Sequence, residues 1–422
     1  MGSFCDVPEL SYDFQAPIRE YGQISETAKE LKLLSMFVHD YGETFCNMQP
    51  QFAGNDCEST SVHTGDFQDA EDLSAFRMIT RRSGDHGYLF VNNYQRGYEM
   101  AEHKDVMLRV QTADGEISFP KQDIKNGAYF FYPFNFPLSD GVTLRWINQT
   151  PLCNINQKLW FFYGIDKMQY EADEKLSGQV LISVDRTWAK CAWRMKKYPN
   201  ILFFSTLPIL ETENGIEVIC RSDYAQKNCW IIMDATVEDV KTWIDSGWKK
   251  SDIIPDFLHV EGDASTICVL SHDLVVADNQ TVASFTHTDV NNCIILKEKT
   301  DFSMEEACVI DDTGKDYREY VIRISYDKAY DAVKDNIFLR IDFQADQAEL
   351  YLNGEKIADQ YYIGDVWEVS LKRFDFPTEL ILRLYPLEED DKIYLETQPD
   401  YLNGRCCSLK DIRCVYECKE KL

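Results

Sequence analysis

Positive charge is scarce in this sequence of 422 residues. It contains 43 Lys and Arg residues against 71 Asp and Glu residues, which gives a net charge of −28. Nucleic-acid binding depends mainly on Lys and Arg side chains that neutralise phosphates, and anionic membrane surfaces attract basic segments for the same reason. The charge balance therefore argues against nucleic-acid and membrane partners, and it leaves neutral ligands such as sugars open.

Long hydrophobic runs are also missing. The longest apolar stretches, residues 128–136 and 201–210, hold about ten residues each, whereas a membrane span needs about twenty. The first residues, MGSFCD, lack the basic start and the apolar core of a secretory signal. Fourteen cysteines without such a signal indicate reduced thiols, and we expect a cytoplasmic protein.

The common catalytic and cofactor motifs are absent. The sequence contains no phosphate-binding loop, no G-x-G-x-x-G, no G-x-S-x-G nucleophile elbow and no H-E-x-x-H. Four late cysteines have neither a C-x-x-C pair nor a nearby histidine, so ordinary thiols are favoured over a zinc site: Cys406, Cys407, Cys414 and Cys418. We expect no metal and no cofactor.

Two other features each have a structural and a functional explanation. The acidic run at residues 388–391 resembles paired carboxylates, but a solvated loop is the favoured interpretation. Tyr361, Tyr362 and Trp367 have the ring systems that stack on sugars, but filling of a core is favoured for them.

One long helix is predicted over residues 25–48. Thr27 followed by Glu30 fits a capping box at its start. Apolar residues recur at steps of three or four and predict a single buried face: Ala28, Leu31, Leu34, Val38, Tyr41 and Phe45. Residues 10–14, ahead of the helix, form a short strand-like run.

Most of the remaining sequence has strand patterns. Ala113-Asp114-Gly115 and Asn353-Gly354 predict hairpin turns, and a second helix is plausible at residues 237–246. Strands are predicted at residues 87–94, 105–110, 117–119, 337–343, 348–352, 380–385 and 392–396. Short strands separated by turns predict a mainly β protein of tandem β-sandwich or jelly-roll domains, preceded by one βα unit.

Several sequence strings resemble glycoside hydrolase family 35, the β-galactosidases. SYDFQAP at residues 11–17, then EYG and a long helix, resembles the eighth strand and eighth helix of the catalytic barrel of that family. GYLFVNNYQR at residues 87–96, with residues 131–138 and 149–153, resembles the β-domain that follows the barrel in bacterial members. Residues 338–342, 350–354, 364–367 and 385–387 resemble the closing galactose-binding-like jelly roll.

The resemblance implies four segments. Residues 1–55 would be a βα remnant of a TIM barrel, and residues 56–165 the first β-domain. Residues 166–300 would form a second, mixed but mainly β region, and residues 301–422 the jelly roll. A lone βα unit cannot bury both faces of its strand. The helix would then either pack on the first sandwich or expose part of its apolar face.

The resemblance also implies that this chain lacks the catalytic residues. Family 35 enzymes use two Glu residues on the fourth and seventh barrel strands, the first within an Asn-Glu dipeptide, and this sequence contains no such dipeptide. Tyr12 and Phe14 match the two tyrosines of the eighth-strand motif, of which the second contacts galactose in the family. We expect them to bind sugar only if the barrel is completed. Phe14 lacks the hydroxyl, and Gln15 replaces an Asp.

Three functions stay open at this point. The chain could supply the non-catalytic β-domains of a β-galactosidase, an enzyme of carbohydrate metabolism that hydrolyses terminal β-galactosides. It could be a subunit that completes an active enzyme with a separately encoded barrel chain. It could also be a free-standing sugar-binding protein that uses its final jelly roll. The expected partners are therefore a galactoside or another neutral sugar, and a barrel-bearing chain.

Overall fold

The computed structural model describes most of the chain. The described residues are 10, 16–52, 56–60, 72–139, 141–164, 166–213, 215–221, 223, 228–234, 240–273, 302–310, 316–324, 326, 336–393, 395 and 397–422. They form two compact units, neither of which is one continuous stretch. The terminal unit comprises Met1–Ala28, Leu207–Lys227 and Asp273–Leu422, and the central unit comprises Lys29–Thr206 and Asn228–His272.

Strands dominate both units, and the mainly β class predicted from the sequence is confirmed. The helices are α1 Glu26–Cys46, α2 Arg186–Ala189 and α3 Val240–Asp245, with 3-10 turns at Ala264–Thr266 and Lys372–Phe374. The first strands are β1 Gln49–Phe52, β2 Cys57–Ser59, β3 Arg77–Ser83, β4 His86–Asn93, β5 His103–Val106, β6 Leu108–Thr112, β7 Gly115–Ser118, β8 Gln122–Ile124, β9 Ala128–Pro137, β10 Thr143–Ile147, β11 Thr150–Ile155, β12 Leu159–Gly164, β13 Tyr170–Ala172, β14 Val180–Asp185, β15 Ala192–Met195 and β16 Tyr198–Phe204.

The second half continues in the same way. Its strands are β17 Ile209–Thr212, β18 Gly215–Arg221, β19 Asn228–Asp234, β20 Lys249–Ser251, β21 Leu258–Glu261, β22 Ile267–Asp273, β23 Phe302–Ile310, β24 Asp316–Ile324, β25 Asn336–Gln344, β26 Gln347–Leu352, β27 Glu355–Tyr361, β28 Trp367–Ser370, β29 Glu379–Tyr385, β30 Leu387–Glu388, β31 Arg405–Cys406 and β32 Ser408–Lys421.

The central unit contains a six-stranded sheet, β1-β3-β4-β9-β10-β13, and a four-stranded sheet, β11-β12-β14-β21. A five-stranded sheet, β15-β16-β19-β22-β20, and two smaller sheets, β2-β6-β7 and β5-β8, complete it. One side of the six-stranded sheet packs on β2, β6 and β7 around Phe76, Leu89 and Phe134. The four-stranded sheet pairs β12, which precedes the boundary predicted between residues 165 and 166, with β14, which follows it. The predicted four-segment division itself stays a prediction.

The terminal unit is built on two five-stranded sheets, β17-β18-β32-β25-β28 and β23-β24-β29-β26-β27. Alternate residues of their strands point inward, and Leu339, Ile341 and Phe343 form part of the common core, as the strand pattern predicts. Asn353 and Gly354 both have positive φ, 53° and 86°, which is the conformation of a type I′ hairpin turn. The predicted Asn-Gly hairpin is therefore confirmed.

Two predicted elements differ from the structure. The strand expected at residues 392–396 is wrong, because Lys392, Ile393 and Leu395 have no strand partners among the described residues. Instead, Ile393 N donates to Asp391 O at 2.9 Å, which is a local turn. The helix expected at residues 237–246 is observed over Val240–Asp245, and its first predicted residues lie outside the described part of the chain.

The long helix is confirmed, but its predicted cap is wrong. α1 begins at Glu26, so Ser25 is the capping residue. Its hydroxyl accepts a hydrogen bond from Ala28 N at 3.3 Å and lies 3.0 Å from Pro17 O. Thr27 is the second residue of α1. A capping residue must precede the helix, so the Thr27 hydroxyl is not the cap. Residues 11–15, which include most of the predicted first strand, lie outside the described residues.

Candidate functional site

The sugar-contacting residues expected from the sequence, Tyr12 and Phe14, lie outside the described residues. Their described neighbours belong to the terminal unit. Leu10 N donates to the Asp359 carboxylate at 3.0 Å, and Arg19 forms an ion pair with Asp365 at 2.8 Å. Leu10 and Arg19 thus contact residues of the terminal unit that are more than three hundred positions away in the sequence.

The predicted buried face of α1 is only partly correct: Tyr41 is buried and Phe45 packs against the same core, but three of the six predicted residues are exposed. Leu31, Leu34 and Val38 are 45%, 52% and 46% exposed. The helix buries a neighbouring face instead, with Leu33 and Phe37 almost fully covered. Both faces have helical spacing, and periodicity alone cannot choose between them. We call the stripe formed by Leu31, Leu34 and Val38 the outer face of α1.

The buried face of α1 contacts two cores of the central unit. Leu33 and Met36 pack with residues of β11, β12, β14 and β16. Phe37 and Tyr41 pack with Tyr88 and other residues of the six-stranded sheet, and the Phe37 ring lies 5.3 Å from that of Tyr88. The helix therefore has a firm position within the central unit, and the exposure of its outer face does not come from loose packing.

One buried and one half-buried set of ion pairs hold the helix further. The Asp40 side chain, 7% exposed, accepts hydrogen bonds from Arg194 Nη1 at 2.5 Å and from Asn154 N at 2.7 Å. Nearer the start of α1, Glu30 pairs with Lys190 at 2.6 Å and with Arg186 at 3.3 Å. Burial opposes ionisation of Glu30, but these cations outweigh it and lower the pKa of that carboxyl.

Exposed tyrosines lie beside this end of α1. The guanidinium of Arg186, which is bound to Glu30, lies 4.5 Å from the ring centre of Tyr129. The Tyr129 ring is in turn 6.4 Å from that of Tyr94, and these two side chains are 43% and 49% exposed. Tyrosine and apolar side chains that remain exposed next to one another are typical of protein–protein interfaces. The outer face of α1 and the tyrosine pair form the first candidate site.

A second candidate site is the outer side of the sheet that contains β24, β29 and β26. Glu319 and Arg383 are cross-strand partners on this side, and Arg383 Nε donates to Glu319 at 3.0 Å. The Arg383 guanidinium lies 4.4 Å from the ring centre of Tyr351 and 4.8 Å from that of Tyr317. Aromatic and polar groups on a sheet surface are suited to sugars, but here the arginine covers the two rings.

Glu349 lies at the centre of the same surface and is only 7% exposed. Its carboxylate accepts hydrogen bonds from the hydroxyls of Tyr351 at 2.6 Å and Tyr385 at 3.1 Å, and from Lys356 Nζ at 3.1 Å. Burial raises the pKa of Tyr385, and the neighbouring Glu349 carboxylate adds to the increase. These polar groups already bind one another, so a sugar would have to replace existing hydrogen bonds.

The other residues singled out from the sequence have structural positions. Tyr361, Tyr362 and Trp367 are 6%, 5% and 6% exposed, which confirms that they are buried side chains. Glu388, at the end of β30, pairs with its cross-strand partner Arg405 at 3.1 Å, and residues 389–391 after it are exposed. Cys406 and Cys418 are buried, and Cys407 and Cys414 are half-buried. Within the part of the chain that the structure describes, no group of His, Cys, Asp and Glu could hold a metal ion.

A buried ionic cluster in the terminal unit was not detectable from the sequence. Arg221 binds Glu368 through two nitrogens at 2.6 and 3.1 Å, and Asp223 through Nε at 3.1 Å. Arg340 contacts Asp223 at 2.8 Å and Glu368 at 3.1 Å. Glu417, the cross-strand partner of Arg221, lies beside them. This ionic cluster has three carboxylates and two guanidinium groups.

The cluster has one carboxylate more than it has guanidinium groups, and we expect this to make the stability of the protein depend on pH. Burial, more than the neighbouring Glu368, raises the pKa of Glu417 to about 7, although Arg221 opposes the shift. The folded state therefore holds this proton more tightly than the unfolded state, whose pKa is near 4.5. Stability should fall as the pH rises from about 4.5 to 7, by at most about 3 kcal/mol, and Glu417→Gln should remove that fall.

The measurement is urea unfolding between pH 5 and 8. The Glu417→Gln variant should be more stable than the parent chain at pH 8 and about equal to it at pH 5. Glu355→Gln, at an exposed hairpin position, is the matched control and should leave the pH profile unchanged. A Glu417→Gln profile identical to that of the parent would contradict the assignment of the raised pKa to this residue.

The sequence matches no family model and no curated protein. None of the described helices is long and apolar enough to cross a lipid bilayer. The resemblance to family 35 is therefore carried by short sequence strings alone.

Proposed function

We propose that this chain supplies the non-catalytic β-domains of a β-galactosidase-like glycoside hydrolase, and that the outer face of α1 packs against the barrel that carries the catalytic carboxylates. The observation that supports this most is the second apolar face of α1. A helix of an α/β barrel contacts barrel neighbours on one side, and here the opposite side is already used by the chain's own sheets.

The charge distribution of α1 also fits this proposal. Glu30 and Asp40 are bound within the chain by Lys190, Arg186 and Arg194. Leu31, Leu34 and Val38 keep their apolar surface exposed between these two anchors. A partner that packs on this stripe would therefore meet a helix already held in place, and would lose little conformational entropy in ordering it. We propose the cytoplasm as the compartment.

A complementation experiment tests the proposed function. A family 35 barrel polypeptide lacking its own eighth βα unit is mixed with this chain, and both binding and cleavage of a chromogenic β-galactoside are measured. We expect no turnover by this chain alone, and binding by the mixture. A chain with Leu34→Gln and Val38→Gln should bind at least tenfold more weakly. Turnover by the purified chain alone would overturn the non-catalytic assignment, and equal binding by the variant would overturn the role of the outer face.

Adjacent leucines give a matched stability comparison. Leu33→Gln should lower the free energy of unfolding by about 3 kcal/mol, because it places an amide in a packed core. Leu34→Gln, one residue along the same helix, should change it by less than about 0.5 kcal/mol, because the site is half exposed. Urea unfolding of both variants gives the comparison. A large loss for Leu34→Gln would show that this side chain belongs to the core, and the docking proposal would fail.

A free-standing sugar-binding protein is the second candidate. It is favoured by the surface around Tyr351, Arg383 and Glu349, which combines aromatic rings with hydrogen-bonding groups. It ranks second because Arg383 covers the rings that a sugar would stack on. Calorimetric titration with galactose and with lactose distinguishes the two candidates. Saturable binding that is lost in Tyr351→Ala would favour this function, and no heat of binding would count against it.

A further inference from the structure

Two buried cysteines face each other across a pair of central strands. Cys220 on β18 and Cys418 on β32 are direct partners in an antiparallel ladder. They are 3% and 8% exposed. Opposite residues in such a ladder project to the same side of the sheet. The two thiols are therefore neighbours, although they are 198 residues apart in sequence.

The hydrogen bonds of the ladder define the type of pair. Leu422 N donates to Ile216 O at 2.9 Å. Hydrogen-bonded pairs recur at every second residue of an antiparallel ladder, which makes Cys220 and Cys418 a hydrogen-bonded pair. The Cα atoms of such a pair are about 5.5 Å apart, within the range of about 4.4–6.8 Å that disulfides occupy. Opposite Cβ atoms in a ladder are about 4.5–5.5 Å apart, with hydrogen-bonded pairs at the wider end, and a disulfide needs about 3.5–4.5 Å, so the two Cβ atoms must approach each other by about 1 Å.

We propose that Cys220 and Cys418 form a site of reversible oxidation, in which a disulfide joins β18 to β32. The oxidant is a small-molecule disulfide such as oxidised glutathione. One protein thiolate attacks it, forms a mixed disulfide and releases one small thiol. The second protein thiolate then attacks the protein sulfur of that mixed disulfide, forms the Cys220–Cys418 bond and releases the second small thiol. Two protein thiols are oxidised while one small-molecule disulfide is reduced to two thiols.

A disulfide between Cys220 and Cys418 would affect how firmly β32 is held in its sheet. β32 lies between β18 and β25 in the sheet β17-β18-β32-β25-β28. A covalent bond from β32 to β18 would keep this strand in the sheet even when its other contacts open. Cys414 lies on the same strand but faces Leu339. Among the residues of β32 that are paired with β18 and β25, only Cys418 lies opposite another cysteine.

Both thiols are buried, so exchange must follow a local opening of the sheet. Cys220 and Cys418 both lie near the ends of their strands, since β18 ends at Arg221 and β32 at Lys421, and strand ends open at lower free energy than strand centres. We therefore expect oxidation to be slow but site-specific. The two thiols should form a disulfide with each other, and a mixed disulfide with glutathione should not last. When β32 returns to its place in the sheet, it brings the second thiol next to the first.

The test uses the full chain in its native state. It is incubated with oxidised glutathione at pH 8, alkylated, digested without reduction and mapped by mass spectrometry. We expect a linked peptide pair containing Cys220 and Cys418, and a thermal midpoint raised by several degrees that returns to its original value on reduction. Trypsin leaves Cys414 and Cys418 in one peptide, so fragmentation of that peptide must identify the linked sulfur.

Three variants make the assignment specific. Cys220→Ala and Cys418→Ala should each abolish the link and the shift in midpoint, whereas Cys414→Ala should keep both. Folding of each variant is checked first by its unfolding transition in the reduced state. A link through Cys414, a mixed disulfide that persists on either partner, or no linked peptide in the wild-type chain would each overturn the proposal.

Discussion

Replacing Arg221 with Met should lower the free energy of unfolding by about 3 kcal/mol at pH 7. Arg221 is 6% exposed and binds the carboxylates of Glu368 and Asp223. Its removal would leave two largely buried carboxylates with Arg340 as their remaining guanidinium. Methionine retains much of the side-chain volume against the Phe338 ring, which lies 5.2 Å from the guanidinium. The expected loss is therefore electrostatic, with little contribution from a cavity.

The matched control is an exposed arginine of the same unit. Arg323 pairs with Glu379 at 3.1 Å, but the two side chains are 45% and 57% exposed. Because solvent screens such pairs, Arg323→Met should cost less than about 1 kcal/mol. Urea unfolding of both variants provides the comparison. If Arg221→Met lowered the free energy of unfolding no more than Arg323→Met does, the buried ionic cluster would stabilise the fold no more than an exposed ion pair.

The double variant Arg221→Met, Glu417→Gln tests whether the charge of Glu417 contributes to the loss of stability. With the guanidinium absent, Glu417 would be a third carboxylate beside Glu368 and Asp223, and like charges disfavour one another. The double variant should therefore recover part of the loss at pH 7. Recovery that disappears at pH 5, where Glu417 is already protonated in the folded state, would assign the effect to its charge.

Local features of this fold were predictable from the sequence. The Asn353-Gly354 turn needs only two residues that tolerate positive φ, and the core face of β25 follows from the alternation of Leu339, Ile341 and Phe343. The long helix was predicted to within two residues at each end. Each of these features is determined by residues that lie close together in the chain, and short-range patterns are therefore sufficient.

Long-range features were not predictable. α1 contains apolar residues over more than half of its circumference, so the sequence did not show whether Leu33 or Leu34 would be buried. The choice depends on β11, β12 and β16, which follow more than a hundred residues later. The pairing of Arg221 with Glu368 joins residues 147 positions apart, and the facing cysteines depend on a strand register. No local signal in the sequence carries this information.

Lys32 of α1 is a largely buried lysine. Lys32 Nζ lies 3.4 Å from the ring centre of Trp193, and no described residue accepts a hydrogen bond from it. Burial, helped by the nearby Lys29 and opposed by Cys191, lowers the pKa of Lys32 from 10.5 to about 7. The folded protein therefore carries an ammonium group at a position that disfavours its charge.

The sign of the pH dependence follows from linkage. Between pH 7 and 10.5 the unfolded chain holds this proton and the folded chain does not, so stability should rise with pH across that window. Below pH 7 both states are protonated and the folded state bears the full cost of burying the charge. The pKa shift corresponds to about 4–5 kcal/mol, of which attraction to the Trp193 ring offsets up to about 2 kcal/mol.

Lys32→Met should therefore stabilise the protein by about 2–3 kcal/mol at pH 6, because a flexible apolar side chain takes the place of an unpaired cation. The gain should shrink toward zero at pH 10.5, where Lys32 is neutral in the folded state. Urea unfolding at pH 6, 8 and 10 measures the profile, and Lys125→Met at an exposed position is the control. A loss of stability at pH 6 would show that attraction between the ammonium and Trp193 exceeds the cost of burial. Lys32 would then be a stabilising cation, and its pKa would have to lie near the ordinary value.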